Sequence, residues 1–206
     1  MFVDPSGYFW QEALTIFGFA AATAAVLGIT ILTLGVAAAP LVGLVASLGF
    51  GIGVGVSLVS QLAFTGSVDI GLALLDGLTG AMSARMTLLP IGAIGSATFG
   101  SIISGGSYIA SSSYLGSEMT VDGMKFAMVS GFFCGLLAGP GGLKDSVSKL
   151  NYLNIVSKDL VSPKKILRYA SNIVSTQSKI IISSVRSSVS IVASQIGTRY
   201  YVGRFE

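Results

Sequence analysis

The chain has 206 residues, of which 10% are charged and 27 are glycine, and its mean hydropathy is +0.81. A typical globular protein is about 25% charged and ~7% glycine, so these few charges would hardly cover the surface of a soluble domain. Histidine is absent and cysteine occurs once, which excludes imidazole bases, His-Zn sites, Ser-His and Cys-His nucleophile pairs, and an internal disulfide.

Charge divides the sequence. Residues 1–143 hold six acids (Asp4, Glu12, Asp69, Asp76, Glu118, Asp122) and two bases (Arg85, Lys125), a net of −4. The remaining ten bases and three acids give 144–206 a net of +7. Three parts are expected: an opening segment 1–11, an apolar glycine-rich body 12–143 and a basic tail 144–206.

After Glu12 no residue is charged for 56 positions, and Pro40 splits this run into Ala13–Ala39 and Leu41–Phe64. At ~1.5 Å per residue each exceeds the ~30 Å of bilayer hydrocarbon, so both are predicted as spanning helices. Gly49, Gly51, Gly53 and Gly55 alternate, a spacing that would also suit a strand lined with glycine. Ser67–Arg85 is shorter and amphipathic, with Asp69 and Asp76 near one face. Met86–Ser117 is uncharged for 32 residues, but Pro90, Gly105-Gly106 and Ser111-Ser112-Ser113 are expected to bend or end a helix there. Lys125 and Lys144 bracket 18 uncharged residues, a short span stopped by Gly139-Pro140-Gly141-Gly142. Within it Cys134, flanked by apolar residues, reads as a small buried hydrophobe.

Two of these segments look alike. Val68-Asp69 followed by Ala73, Gly77 and Ala81 resembles Val121-Asp122 followed by Ala127, Gly131, Gly135 and Gly139. Ser67 and Thr120 are placed to cap helices whose first turns carry an aspartate, a pattern that suggests duplicated helical hairpins. Small residues at every fourth position let helices approach closely where lipid removes the hydrophobic drive to associate. Gly131, Gly135, Gly139, Gly77 and Ala81 are the expected packing residues. The glycine runs lack Walker or dinucleotide spacing, so no cofactor or metal is expected. Catalysis would have to rest on carboxylates alone, and helix starts already account for Asp69 and Asp122. Asp76 lies inside an apolar stretch, where an acid is a functional candidate. Lining an ion path is its expected role, with an interfacial or solvated position as the alternative.

The tail shows a helical stripe at Ile181, Val185, Val189, Val192 and Ile196, with Lys179 and Arg186 off it. Such a basic amphipathic helix suits a membrane surface. Lys164, Lys165 and Arg168 would add ~1 kcal/mol per charge on anionic lipid. A solvated flank that only sets orientation is the second reading. Nucleic-acid binding ranks last because no DNA- or RNA-binding motif is present.

The opening Phe2-Val3-Asp4-Pro5-Ser6-Gly7-Tyr8-Phe9-Trp10 resembles the end of the core of Rhs/YD-repeat (wall-associated) proteins. There an Asp-Pro-x-Gly motif closes a repeat cage and a variable C-terminal toxin or effector region follows. Val68 to Gly142 is similar to the glycine-rich hydrophobic regions that follow such cores. The likeness covers nine residues and about 75 loosely patterned ones. It implies an effector stored in an Rhs cage, released into a neighbouring cell and countered by a cognate immunity protein. Only one copy of the motif is present and no cage sequence surrounds it, so self-cleavage is not carried to Asp4.

The expected fold is all-α: a glycine-rich hydrophobic multi-helix membrane-inserting bundle with a basic amphipathic helical tail. The expected function is a non-enzymatic toxin or effector region, without cofactor, that forms pores or depolarises a target-cell membrane. Its partners would be the lipid bilayer and further copies in a homo-oligomer. Two alternatives stand beside it: a translocation module for an attached effector, and a small holin-like or scaffold integral membrane protein.

Overall fold

The computed structural model describes residues 15–18, 20, 21, 23, 24, 39–89, 91–138 and 163–202. The opening motif 2–10, most of the first apolar run and Gly139 lie outside these residues. Every regular element among the described residues is helical: α1 (Ala39–Thr65), α2 (Ile70–Met86), α3 (Gly92–Leu115), α4 (Val121–Ala138) and α5 (Pro163–Val202). The described positions between 15 and 24 are helical as well. Two helices are long and apolar enough to cross a membrane, over Pro40–Thr65 and Ala170–Tyr200. The second of these lies in the basic tail.

Local chemistry sets the turns. α1 stops at Gly66 and α3 at Gly116, whose φ of 69° and 63° lie in the left-handed region that favours glycine. The Gly66 N–H donates to the Leu62 carbonyl at 3.2 Å, and that of Gly116 to the Ser113 carbonyl at 3.4 Å, so carbonyls left over at each helix end are satisfied. Asp69 caps α2 itself, in place of Ser67: its backbone is extended and its carboxylate accepts from the Leu72 N–H at 3.0 Å. Thr120 caps α4 as the pattern suggests, its hydroxyl accepting from the Gly123 N–H at 3.1 Å. Asp122 then falls in the first turn, with Lys125 3.4 Å away on the surface.

α1 and α2 form one hairpin and α3 and α4 a second, each joined by backbone-to-backbone approach. A Cβ on Gly49 would collide with the Gly80 carbonyl, one on Gly53 with the Asp76 carbonyl, and one on Gly80 with the Gly49 carbonyl. In the second hairpin Gly100 meets the Gly131 carbonyl, and Gly135 meets the Ser96 carbonyl. Gly49 and Gly100, Gly80 and Gly131, and the first residues of α2 and α4 (70 and 121) are each 51 positions apart. The structural repeat therefore has a register of 51, two less than the match of Asp69 to Asp122 suggests. Those two aspartates hold different positions relative to their caps.

Three expectations change at this level. The alternating glycines of 49–55 are helical, with Gly49 and Gly53 at the α2 contact and open space beside Gly51 and Gly55. α3 continues through Gly105-Gly106 and the three serines. Gly105 is covered by Met128, and the Ser111 hydroxyl donates to the Tyr108 carbonyl of its own helix at 3.1 Å. The tail, finally, does not stand apart from the body, because α5 packs along α1, α2 and α4. Its buried face runs through Ile180, Ser184, Ser187, Ser188, Ile191, Gln195 and Thr198. Of the expected stripe, Val192 and Ile196 are buried while Val189 is exposed. Serine explains the shift: the single proton of the Ser184 or Ser188 hydroxyl has an acceptor four residues back in its own helix as well as one across at α2, so a small side chain stays satisfied when buried.

The glycine contacts are testable by alanine substitution. Gly53→Ala should cost about 1–3 kcal/mol through overpacking against the Asp76 carbonyl. Gly55→Ala, facing open space in the same helix, should be neutral or stabilise by up to ~1 kcal/mol through helix propensity. Thermal unfolding in detergent followed by circular dichroism separates the two, and equal midpoints would refute the contact.

Candidate functional site

Beside the apolar clusters, the interior of the bundle holds many polar side chains. Asp76, Thr79 and Ser83 of α2, Ser104 and Ser107 of α3, and Ser187 and Ser188 of α5 are buried almost completely. Large apolar side chains face outward instead: Val59 of α1, Ile70 of α2, Ile94 of α3, Leu137 of α4 and Ile182 of α5 are all two-thirds exposed or more. So many exposed large apolar side chains, with so many buried hydroxyls, depart from the usual arrangement of a water-soluble protein.

Asp76 is the centre of that interior. Its main chain meets Gly53 of α1, which brings the carboxylate to the level of the last turns of α5. Its side chain is fully buried, and both carboxylate oxygens accept from the Arg199 guanidinium, with Nη1 donating at 2.9 Å and Nη2 closing a two-point ion pair. The side chain of Arg199 is 13% exposed. Taking two charges out of water costs several kcal/mol per ion, and two-point geometry offsets that cost. Asp76 is therefore not an open carboxylate beside water. Its charge is occupied by a base from the tail.

Hydroxyl groups continue the contact along α5. Ser187 donates to the Ser83 carbonyl at 3.0 Å and Ser188 to the Gly80 carbonyl at 3.0 Å, while Ser184 and Thr87 share a hydrogen bond of 2.7 Å. Toward the second hairpin Ser194 donates to Ser130 at 2.7 Å. At the turn end, Tyr114 of α3 donates to the Asp69 carboxylate at 2.9 Å, which ties the two hairpins together. Gln61 accepts from the Asp69 N–H and donates to its carbonyl. Arg85, buried at the opposite end, donates to the Thr23 carbonyl at 2.7 Å.

The other expected site residues fall into two groups. Gly131, Gly135, Gly77 and Ala81 lie inside, with Gly77 against Phe50 and Val54 of α1. Arg168, Lys179 and Arg186 are exposed on the outer side of α5. Lys164 and Lys165 are helical positions ahead of them. Cys134 is half-buried and packs on a cluster of Met82, Met86, Ile103 and Ile191. Among the described residues no group of three Asp, Glu or Cys could hold a metal ion.

Sequence reasoning missed Arg199 and Gln195. Arg199 had a signal: an acid isolated in an apolar stretch needs a base, and Arg199 is the last base of a helix-patterned segment. Comparison with protein-family models, curated proteins and solved structures finds no match.

The ion pair generates a prediction. Asp76→Asn alone should destabilise by about 3–5 kcal/mol, because it leaves the Arg199 charge buried without its partner. Replacing both, as Asp76→Leu with Arg199→Met, should be neutral or stabilising. Thermal unfolding of Asp76→Leu, Arg199→Met and the double variant in detergent measures the coupling, and additive effects would refute it.

Proposed function

We propose that this chain is a membrane-inserted effector that depolarises a target membrane by opening a polar path through its helix bundle. One observation carries the reading: serines, threonines and an Asp–Arg pair are buried between the helices beside the apolar clusters, while large leucine, isoleucine, valine and phenylalanine side chains are exposed on every helix. Lipid rewards an apolar exterior, and polar groups at membrane depth are stable only where they face each other or water. The close glycine contacts and interhelical hydroxyl bonds agree with it, since both join helices where the hydrophobic effect cannot.

Two further points support the choice. α5 contributes the buried partner of Asp76, so the tail completes the bundle, whereas a delivery module would hold its passenger apart. Arg168 is exposed near the start of α5, and Lys179 and Arg186 are exposed in its middle turns, Lys179 just before Ile180 of the cluster formed with Val42, Val45, Ala84 and Leu88. Arg168, ahead of the apolar stretch Ala170–Tyr200, suits anionic lipid headgroups. The likeness of residues 2–10 to the end of an Rhs core supports storage in a cage and a cognate immunity protein.

Low-level expression of residues 1–206 in bacteria loaded with a potential-sensitive dye tests the reading. Depolarisation should begin within minutes of induction, and the chain should stay with membranes through alkaline carbonate extraction. An unchanged potential with the protein present, or release of the protein by carbonate, would refute it.

A further inference from the structure

The two sides of α5 are not equally satisfied. On the α2 side Ser184, Ser187 and Ser188 each have a partner across the interface. On the α3 side four buried atoms have none: Nε2 and Oε1 of Gln195, Oγ of Ser104 and Nε of Arg199. Gln195 is 3% exposed and Ser104 0%. All three residues line one narrow cavity where α3, α4 and α5 meet, together with Tyr108, Ser111 and Thr198. No water-sized space lies within it.

Buried polar groups without partners are costly, and a cavity too small for water cannot relieve them. The seam is therefore held shut against its own chemistry. A separation of α5 from α3 by the width of one water would hydrate all four atoms, at the cost of the single Ser194–Ser130 bond where the opening reaches α4, whereas parting α5 from α2 would break the two-point Asp76–Arg199 pair as well as the hydroxyl contacts of Ser184, Ser187 and Ser188. Arg199 also lines a second cavity of about 290 Å³ at the turn end, beside Ser60, Gln61, Thr65, Ser67 and Asp69. That cavity is partly open to the outside. Arg199 thus borders both the open cavity, whose lining also includes Leu72, Leu115, Ile196 and Tyr200, and the sealed seam.

Resting on the depolarising activity proposed above, we infer that the path for water and small hydrated ions is the seam between α5 and the second hairpin. Arg199 stands at the joint between its mouth and its inner part, and the contact between α5 and α2 stays closed. Hydroxyl and amide groups, supplied by Ser104, Ser111, Thr198 and Gln195, replace part of the hydration of a passing ion. Asp76 holds Arg199 to one side of the path.

Cysteine accessibility in proteoliposomes tests this with the full chain carrying Cys134→Ser. Ser104→Cys and Thr198→Cys report on the seam, and Ser184→Cys and Ser187→Cys on the closed side. All four are near-isosteric, and each is first checked for the helical circular dichroism of the parent. An imposed K⁺ diffusion potential is followed with a dye while a water-soluble methanethiosulfonate reagent is added, and labelling is read by mass. Modification should occur at positions 104 and 198 and slow the collapse of the potential about tenfold. Positions 184 and 187 should stay unlabelled, with the collapse unchanged. Labelling at 184 and 187 in preference, or collapse with 104 and 198 unlabelled, overturns the seam and leaves the depolarising activity standing. No collapse by the parent protein overturns both.

Discussion

Each hairpin depends on one constraint: two helix backbones in direct contact, with no side chain between them. Gly49 and Gly53 sit against the carbonyls of Gly80 and Asp76, and Gly100 and Gly135 occupy the same relation to Gly131 and Ser96. A single Cβ at these points would push the helices apart and displace everything that packs on α2. Most residues of α2 are buried, from Leu72 to Met86, because α1, α3 and α5 all close on it. The short distance between backbones also places the Ser83 and Gly80 carbonyls within reach of the α5 serines. The hydroxyl contacts between α5 and α2 follow from the glycines.

The Asp76–Arg199 pair solves a problem that this packing creates. Asp76 lies on the buried side of α2, so it must find its counter-charge inside. The base comes from 123 residues away, which commits the C-terminal helix to one register along the hairpin. Phe64 and Tyr200, the residue next to Arg199, have ring centroids 4.4 Å apart and mark the same register.

The helical class was legible because long uncharged runs leave few other ways to satisfy the backbone. Gly131 and Gly135 were legible because three glycines at fourfold spacing have little other use. The limits are equally physical. Gly49 and Gly53 were hidden by their alternation with Gly51 and Gly55, which mimics a strand until the neighbouring helix is known. The α5 contact was misjudged because hydropathy treats serine as polar, whereas a serine bonded to its own helix is compact and costs little to bury. Arg199 looked like one more tail charge because nothing within sequence range of Asp76 indicates what lies 123 positions on.

The turns also give the bundle an electrical direction. Asp69, Glu118 and Asp122 gather at the end where both hairpins turn, joined by the bond from Tyr114 to Asp69. Arg85, Lys179 and Arg186 lie toward the other end, near the Leu88 cluster. The buried pair of Asp76 and Arg199 adds no net charge between them. For the membrane-inserted effector proposed above, the two sides of a bilayer are not equivalent, since basic flanks are retained on the cytoplasmic side and anionic lipid there adds to the preference. Made inside a cell, the bundle would settle with its acidic turns outward. Arriving from outside, it could send the weakly charged turns across first and leave the basic end at the surface it met. The same sequence would then sit in opposite senses in the cell that makes it and the cell that receives it.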